Sequence, residues 1–213
     1  MPPMPGHPDR FYPIVDSLEW IERLTKLDVR TIQLRAKNLN REAALEIVRG
    51  ALNITEKTRT EIVVNDYWQA AIAAGADHVH LGQEDLETAD VSTIKKAGIT
   101  LGLSTHDHEE LETALRYQPD YIALGPIFET TLKKMRFAPQ GLERIGEWKK
   151  QIGTIPLIVV GGIKLEHAPA IFAAGANSIA VVSDVTQNAN PDARVRDWLA
   201  LMKKSGDQQR IVP

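Results

Sequence analysis

Eight short apolar runs recur along the chain at fairly regular spacing, and this recurrence constrains the fold more than any other feature. They are YPIVD (12–16), TIQLR (31–35), EIVVN (61–65), HVHLG (78–82), TLGLS (100–104), YIALG (121–125), PLIVVGG (156–162) and SIAVVS (178–183). Each is short and bounded by polar or turn residues, so length selects strand over helix. Most are near-continuous rather than alternating, as expected of parallel strands covered on both faces. Helical stretches lie between them, at 17–27, 41–58, 109–117, 142–151 and 191–204. In the last, Val195, Trp198, Leu199 and Met202 recur three and four apart and mark one buried stripe. Asn190 before Pro191 joins a capping residue to a proline in the first turn. The stretches after the third and fourth runs are shorter.

A weak internal repeat supports the same reading. Ala74-Gly75-Ala76-Asp77 precedes the fourth run and Ala174-Gly175-Ala176-Asn177 the eighth, and Lys96-Ala97-Gly98 stands before the fifth. Each glycine is placed to end a helix in the left-handed conformation and send the chain into the next strand. Strict alternation of strand and helix predicts an α/β protein, a closed (β/α)8 TIM barrel; a doubly wound open sheet is the alternative. No composition break divides the 213 residues. The expectation is a single barrel domain over 11–205, with flexible tails at 1–10 and 206–213.

Composition narrows the functional classes. There is no cysteine, so a disulfide framework, a thiolate metal site and a cysteine nucleophile are all excluded. A net charge of −3 argues against general nucleic-acid binding, which needs a basic face. No apolar run approaches the ~20 residues of a membrane span. The proline-rich start MPPMPGHPDR lacks the apolar core of a secretory signal. A cytoplasmic protein fits these features, and exposed apolar helix faces leave room for a homo-oligomer.

The residues that carry chemistry collect at the C-terminal ends of the runs, which in a barrel share the active-site face. They include Asp16; Gln33, Arg35 and Lys37; Asn65 and Asp66; Gln83, Glu84 and Asp85; Ser104 and His106; Lys133 in the long 126–140 loop; Gly161 and Gly162; and Ser183. Arg35, Lys37 and Lys133 offer positive charge to phosphates. Asp66 and Asp85, at neighbouring strand ends, suit Mg²⁺ beside a diphosphate. The glycine pair lets backbone approach a second anion. Two phosphorylated substrates follow as the expectation. Each feature also has an ordinary reading. Arg35 and Lys37 fit a solvated pair, Asp66 a helix N-cap, and Asp85 a surface loop. His78 and His80 fit packed core histidines, and His106 a cap. Convergence on one face carries the functional reading.

These segments resemble the thiamin phosphate synthase family over nearly the whole chain. The matching stretches are Tyr-Pro-Ile-Val-Asp at 12–16, Gln-Leu-Arg-Ala-Lys at 33–37, Asn-Asp-Tyr-Trp at 65–68, and His-Leu-Gly-Gln-Glu-Asp at 80–85. Further on come Leu-Gly-Leu-Ser-Thr-His at 101–106, Ala-Pro-Gln-Gly-Leu at 138–142, Gly-Gly-Ile at 161–163 and Val-Val-Ser at 181–183. The resemblance implies transfer of an aminopyrimidine from its diphosphate to a thiazole phosphate, with Mg²⁺. Gln33, Leu34, Arg35, Ala36, Lys37, Asn65, Ser104 and Lys133 would meet the pyrimidine diphosphate. Arg35, Lys37 and Lys133 would be the cationic catalytic set, and Asp66 and Asp85 the metal ligands. Thr130, Thr131, Leu132, Gly162, Val182 and Ser183 would meet the thiazole phosphate. The loop at 126–140 is long enough to be a lid over both substrates.

One departure falls in that loop. The family commonly reads Pro-Thr-x-Thr-Lys, and this chain reads Glu129-Thr130-Thr131-Leu132-Lys133. A hydroxyl is lost at 132, so Leu132→Thr is expected to tighten thiazole phosphate binding. Two other functions compete: a thiazole tautomerase of the same fold, with His106 as its acid–base group, and a non-catalytic sensor of thiamin-pathway phosphates.

Overall fold

A computed structural model describes residues 6–130 and 137–209. Eight parallel strands close into a barrel in sequence order: β1 (Phe11–Val15), β2 (Thr31–Leu34), β3 (Glu61–Asn65), β4 (His78–Leu81), β5 (Thr100–Thr105), β6 (Tyr121–Leu124), β7 (Leu157–Val159) and β8 (Ser178–Val181). β8 pairs back onto β1, with Phe11 opposite Ile179 and Pro13 opposite Val181, which excludes the open sheet. Around the barrel run α1 (Leu18–Lys26), α2 (Arg41–Thr55), α3 (Trp68–Ala74), α4 (Gln83–Leu86), α5 (Val91–Lys96), α6 (His108–Arg116), α7 (Gly141–Ile152), α8 (Ala168–Ala173), α9 (Ser183–Thr186) and α10 (Pro191–Gln209). The last helix runs past residue 204 to Gln209. β1 and β2 stop at Val15 and Leu34, so Asp16 and Arg35 open loops rather than end strands.

Local chemistry sets the helix ends. Side chains of Ser17, Asn40, Asp90 and Asp107 accept backbone N–H bonds at the starts of α1, α2, α5 and α6, satisfying donors that a helix leaves orphaned. Asn190 does the same for α10, accepting from Ala193 N at 3.2 Å. Gly75 and Gly98 turn the chain toward β4 and β5 with φ of 76° and 74°, a conformation that costs other residues more.

The core has two layers. The outer one lies between strands and helices, where Trp198 stacks on Phe11 with ring centroids 5.3 Å apart. Trp148 donates its indole N–H to Thr105 Oγ1 at 2.9 Å. The inner layer fills the barrel with Tyr12, Ile14, Val63, Tyr121, Ala123, Ile158 and Ala180. Residues 8–10 are held against the barrel floor. Asp9 N donates to Thr31 Oγ1 at 3.0 Å, Ser178 Oγ donates to Asp9 O, and the Arg10 guanidinium lies over the Phe172 ring.

Candidate active site

The loops at the C-terminal ends of the strands enclose a cavity of about 650 Å³. Its wall takes Gln33 from β2, Arg35 and Lys37 from the loop after it, Asn65 from β3, His80 from β4 and Ser104 from β5. It also takes Thr130 from the loop after β6, Gly161 and Gly162 after β7, and Val182 and Ser183 after β8. Side chains alternate along a strand, so Gln33 and Arg35 enter the cavity while Leu34 packs in the outer core. Ala36 is also buried and outside the cavity wall. The side chains of Leu34 and Ala36 thus stand outside the cavity lining. Thr131, Leu132 and Lys133 lie outside the described residues, as does the middle of the expected lid.

Next to Asn65 in that wall stand two carboxylates, Asp66 and Asp85, which are not among the residues that line the cavity. Asn65 is 5% exposed, and its Nδ2 is buried without a hydrogen-bond partner. A buried donor in that state costs about 1–3 kcal/mol, a cost that an acceptor in the cavity removes. Asp66 stands in the left-handed region at φ 66°, where a non-glycine residue is held only by its surroundings. Its N–H donates to His80 O at 3.0 Å. The N-cap reading of Asp66 fails, because Tyr67 occupies the cap position of α3 and makes no side-chain cap bond. The Asp66 carboxylate instead meets Lys37 Nζ at 2.5 Å and acts on the Asp85 carboxyl.

Asp85 sits on α4 as that helix leaves β4. Burial first, and then the charge and hydrogen bond of Asp66, push its carboxyl up to about 6. A cation beside Asp85 would offset that unfavourable charge. The oxygen donors suit a hard divalent ion. Among the described residues no group of three or more His, Asp or Glu is placed to hold a metal. Mg²⁺ here would therefore draw its remaining ligands from substrate phosphate and water, which is its usual habit.

The opposite wall is backbone. Gly161 and Gly162 have φ of 99° and 65°. A Cβ on Gly162 would lie 2.3 Å from Glu129 O, and one on Gly161 would lie 2.6 Å from Pro126 Cα. The glycine pair is needed as much for the 126–129 segment packed on it as for any ligand. That segment is tied down by Ile127 N to Val160 O and Phe128 N to Gly161 O, both at 3.0 Å. The turn carrying Val182 and Ser183 is held from behind. Asp184 accepts two bonds from Arg194, at 2.8 and 2.7 Å, and one from the Trp198 indole at 2.7 Å.

Sequence reasoning missed three groups. The Asp184 clamp joins residues with no shared motif. His80 is buried as the core reading expects, yet it also lines the cavity and places Nε2 2.8 Å from Ser104 Oγ. Burial pushes its ring down to about 4, so it is neutral near pH 7. Tyr12 and Tyr121 continue the same polar chain across the barrel. His78 is separate, at the other end of β4, 3.9 Å from Glu61. His106 does not cap α6, which Asp107 does. It lines the cavity, with Nδ1 2.6 Å from Glu110 Oε2 and its ring stacked on Phe137.

A family model described as thiamine monophosphate synthase matches residues 11–185, which include every strand and all of the cavity lining except Thr186 and Gln187. This chain belongs to the thiamine monophosphate synthase family. Among curated relatives, the thiamine-phosphate synthase of Rhizobium etli is 50% identical over 192 residues, spanning 90% of this chain and 94% of the relative. That of Klebsiella pneumoniae is 46% identical over 202 residues, spanning 94% and 96%. Among solved structures, a thiamine phosphate pyrophosphorylase from Pyrococcus furiosus superposes with a TM-score of 0.80 at 24% identity, covering 92% of this chain and 96% of that one. A 3-hexulose-6-phosphate synthase from Salmonella typhimurium superposes with a TM-score of 0.69 at 16% identity, covering 92% and 99%. These two likenesses concern the barrel alone, which serves many chemistries. Membership of the thiamine monophosphate synthase family comes from the sequence match.

Proposed function

We propose that this enzyme condenses 4-amino-2-methyl-5-(diphosphooxymethyl)pyrimidine with thiazole phosphate, giving thiamin phosphate and diphosphate. The observation that carries the reading is a single cavity with two unlike anion-facing walls. Arg35, Lys37 and the unpartnered Asn65 amide stand on one side, and Gly162, Val182 and Ser183 on the other. The reaction is dissociative. The C–O bond of the pyrimidine methylene breaks, and diphosphate leaves with the electron pair. The thiazole nitrogen then forms the C–N bond with its lone pair. No enzyme base or nucleophile is needed.

Charge gathers on the departing diphosphate, so cations fixed beforehand stabilise the transition state more than the ground state. Arg35 and Lys37 supply that charge, joined by Lys133 from the 126–140 loop. Asp66 and Asp85 would hold Mg²⁺, which offsets diphosphate charge when bound. Lys37 in its ion pair with Asp66 stands where it can turn from carboxylate to phosphate. Gln33 and Ser104 face the pyrimidine, and the 161–162 and 182–183 backbone faces the thiazole phosphate, with Thr130 beside it. No helix among the described residues is long and apolar enough to cross a membrane. Phosphate charge keeps both substrates within a membrane-bounded compartment, and a cytoplasmic location suits an enzyme that uses them.

The test mixes both substrates with Mg²⁺ and oxidises any thiamin phosphate to its fluorescent product, with EDTA and Asp66→Ala controls. Metal-dependent product that falls at least about a hundredfold in the variant is the expected result. Binding of both ligands without turnover would replace the enzyme with a phosphate sensor.

A further inference from the structure

One group at the cavity wall is out of keeping with two anionic substrates. Asp16 is the single carboxylate among the described residues that line the cavity, where Arg35 and Lys37 supply positive charge. Its side chain is exposed and enters no ion pair or hydrogen bond among the described residues. The helix that follows has its cap without it, because Ser17 accepts from Trp20 N at 3.4 Å. In the cavity as read above, each substrate carries phosphate. An unpaired carboxylate in its wall therefore repels both, unless positive charge arises beside it.

Trp20 lines the same cavity from the first turn of α1. The Arg23 guanidinium lies over its ring, 5.0 Å from the centroid, and Arg23 Nε is held 2.6 Å from Asp192 Oδ1. That ion pair offsets the arginine charge, so the ring is steadied without a bare cation beside it. The indole N–H makes no hydrogen bond among the described residues. An aromatic face is what recognises a quaternary organic cation, and a carboxylate adds the opposite charge. Their place in the barrel suits that use. β1 pairs with β8 on one side and β2 on the other. The loop and helix start that carry Asp16 and Trp20 therefore lie between the 182–183 turn and the wall of Arg35 and Lys37.

The reaction makes such a cation. When the thiazole nitrogen spends its lone pair on the new C–N bond, the positive charge left on the pyrimidine methylene by the departing diphosphate passes to that nitrogen. The nitrogen becomes quaternary, and no proton moves. Thiazole phosphate thus has a neutral ring, and thiamin phosphate a permanently charged one. We propose that Asp16 and Trp20 contact the thiazole ring and recognise this charge, binding the thiazolium in preference to the neutral thiazole. Groups that attract the ring only as it becomes charged stabilise the transition state for C–N bond formation more than the bound substrate. The proposal rests on the reading of the cavity as a thiazole phosphate site.

Calorimetry on the full chain tests it, in Mg²⁺-free buffer so that no metal ion can neutralise Asp16. Thiazole phosphate is compared with its N-methyl thiazolium counterpart, which keeps the phosphate and carries the ring charge. The native protein is expected to bind the charged ligand more tightly. That preference is expected to fall roughly threefold in Asp16→Asn, the scale of an exposed charge pair. In Trp20→Leu it is expected to fall roughly fivefold, the scale of one contact between a cation and an aromatic face. Trp20→Phe, which keeps a ring, is expected to retain most of it. A native protein with no preference for the charged ligand overturns the proposal. So do variants that weaken both ligands by the same factor, since the two side chains would then shape the wall without sensing charge. If neither ligand bound the native protein, the thiazole phosphate reading itself would fail, and the proposal with it.

Discussion

At the residue scale, the chain shows how a small side chain and a buried ring are chosen together. Gly102 has room for no Cβ because the Tyr121 ring occupies that space. Gly102→Ala is expected to destabilise the protein by about 2–3 kcal/mol, the range for an overpacked core, read as a lower urea midpoint. His80 carries a pH signature. Its ring is pushed down to about 4 from an ordinary value of 6.5, chiefly by burial. The unfolded chain therefore binds the proton more readily than the folded one between those values. The stability this group confers is fully present above about pH 6.5 and is lost as pH falls toward 4. The slope of unfolding free energy against pH in that window is expected to flatten in His80→Gln. An unchanged slope would mean that the ring is not held neutral.

Elements at the mouth of the barrel are held by contacts that no single element contains. The four-residue α9 is too short to hold itself in place. Its Asp184 carboxylate, 6% exposed, is fixed by the Arg194 fork and the Trp198 indole from α10. Asp184→Ala leaves the Trp198 indole N–H without its acceptor and leaves the partly exposed Arg194 guanidinium with Glu166 alone. Its expected cost is about 1–3 kcal/mol, the scale of a buried donor left without its acceptor. Weaker thiazole phosphate binding is expected with it, because the 182–183 turn loses its support. Denaturation and phosphate-ligand calorimetry check the two halves separately. Gly162→Ala puts a methyl against Glu129 O and Phe128 O, and it is expected to shift the 126–129 segment and reduce turnover more than it reduces the melting temperature.

For the molecule as a whole, closure is the unit of stability. A barrel whose first strand pairs with its last cannot retain half of itself. α10, at the far end of the sequence, covers β1 through Trp198, which is fully buried on Phe11. Trp198→Ala is expected to cost about 3–5 kcal/mol, the range for removing a buried aromatic. It should do so in one cooperative transition by both fluorescence and circular dichroism. Two separate transitions would show that the C-terminal helix unfolds on its own.

The barrel was legible in the sequence because its signal is local and repeated. Eight buried strands must each be apolar, and the capping residues and the glycines before β4, β5 and β8 act within a turn of where they stand. The face bearing the site was legible for the same reason, since Arg35, Asn65, Ser104 and Gly162 each follow or end a recognisable run. What a run cannot show is which way a side chain points, or what crosses to meet it. Leu34 and Ala36 sit between cavity residues in the sequence, yet the alternation of the strand turns Leu34 to the outer core. Asp66 could have been a cap until Lys37 and Asp85 were seen to claim it. Tyr12, His80 and Tyr121 read as three unrelated core residues on β1, β4 and β6. Only the closed barrel, with a glycine making space at Gly102, brings their polar atoms within hydrogen-bonding reach, because that proximity comes from strand register and not from spacing along the chain.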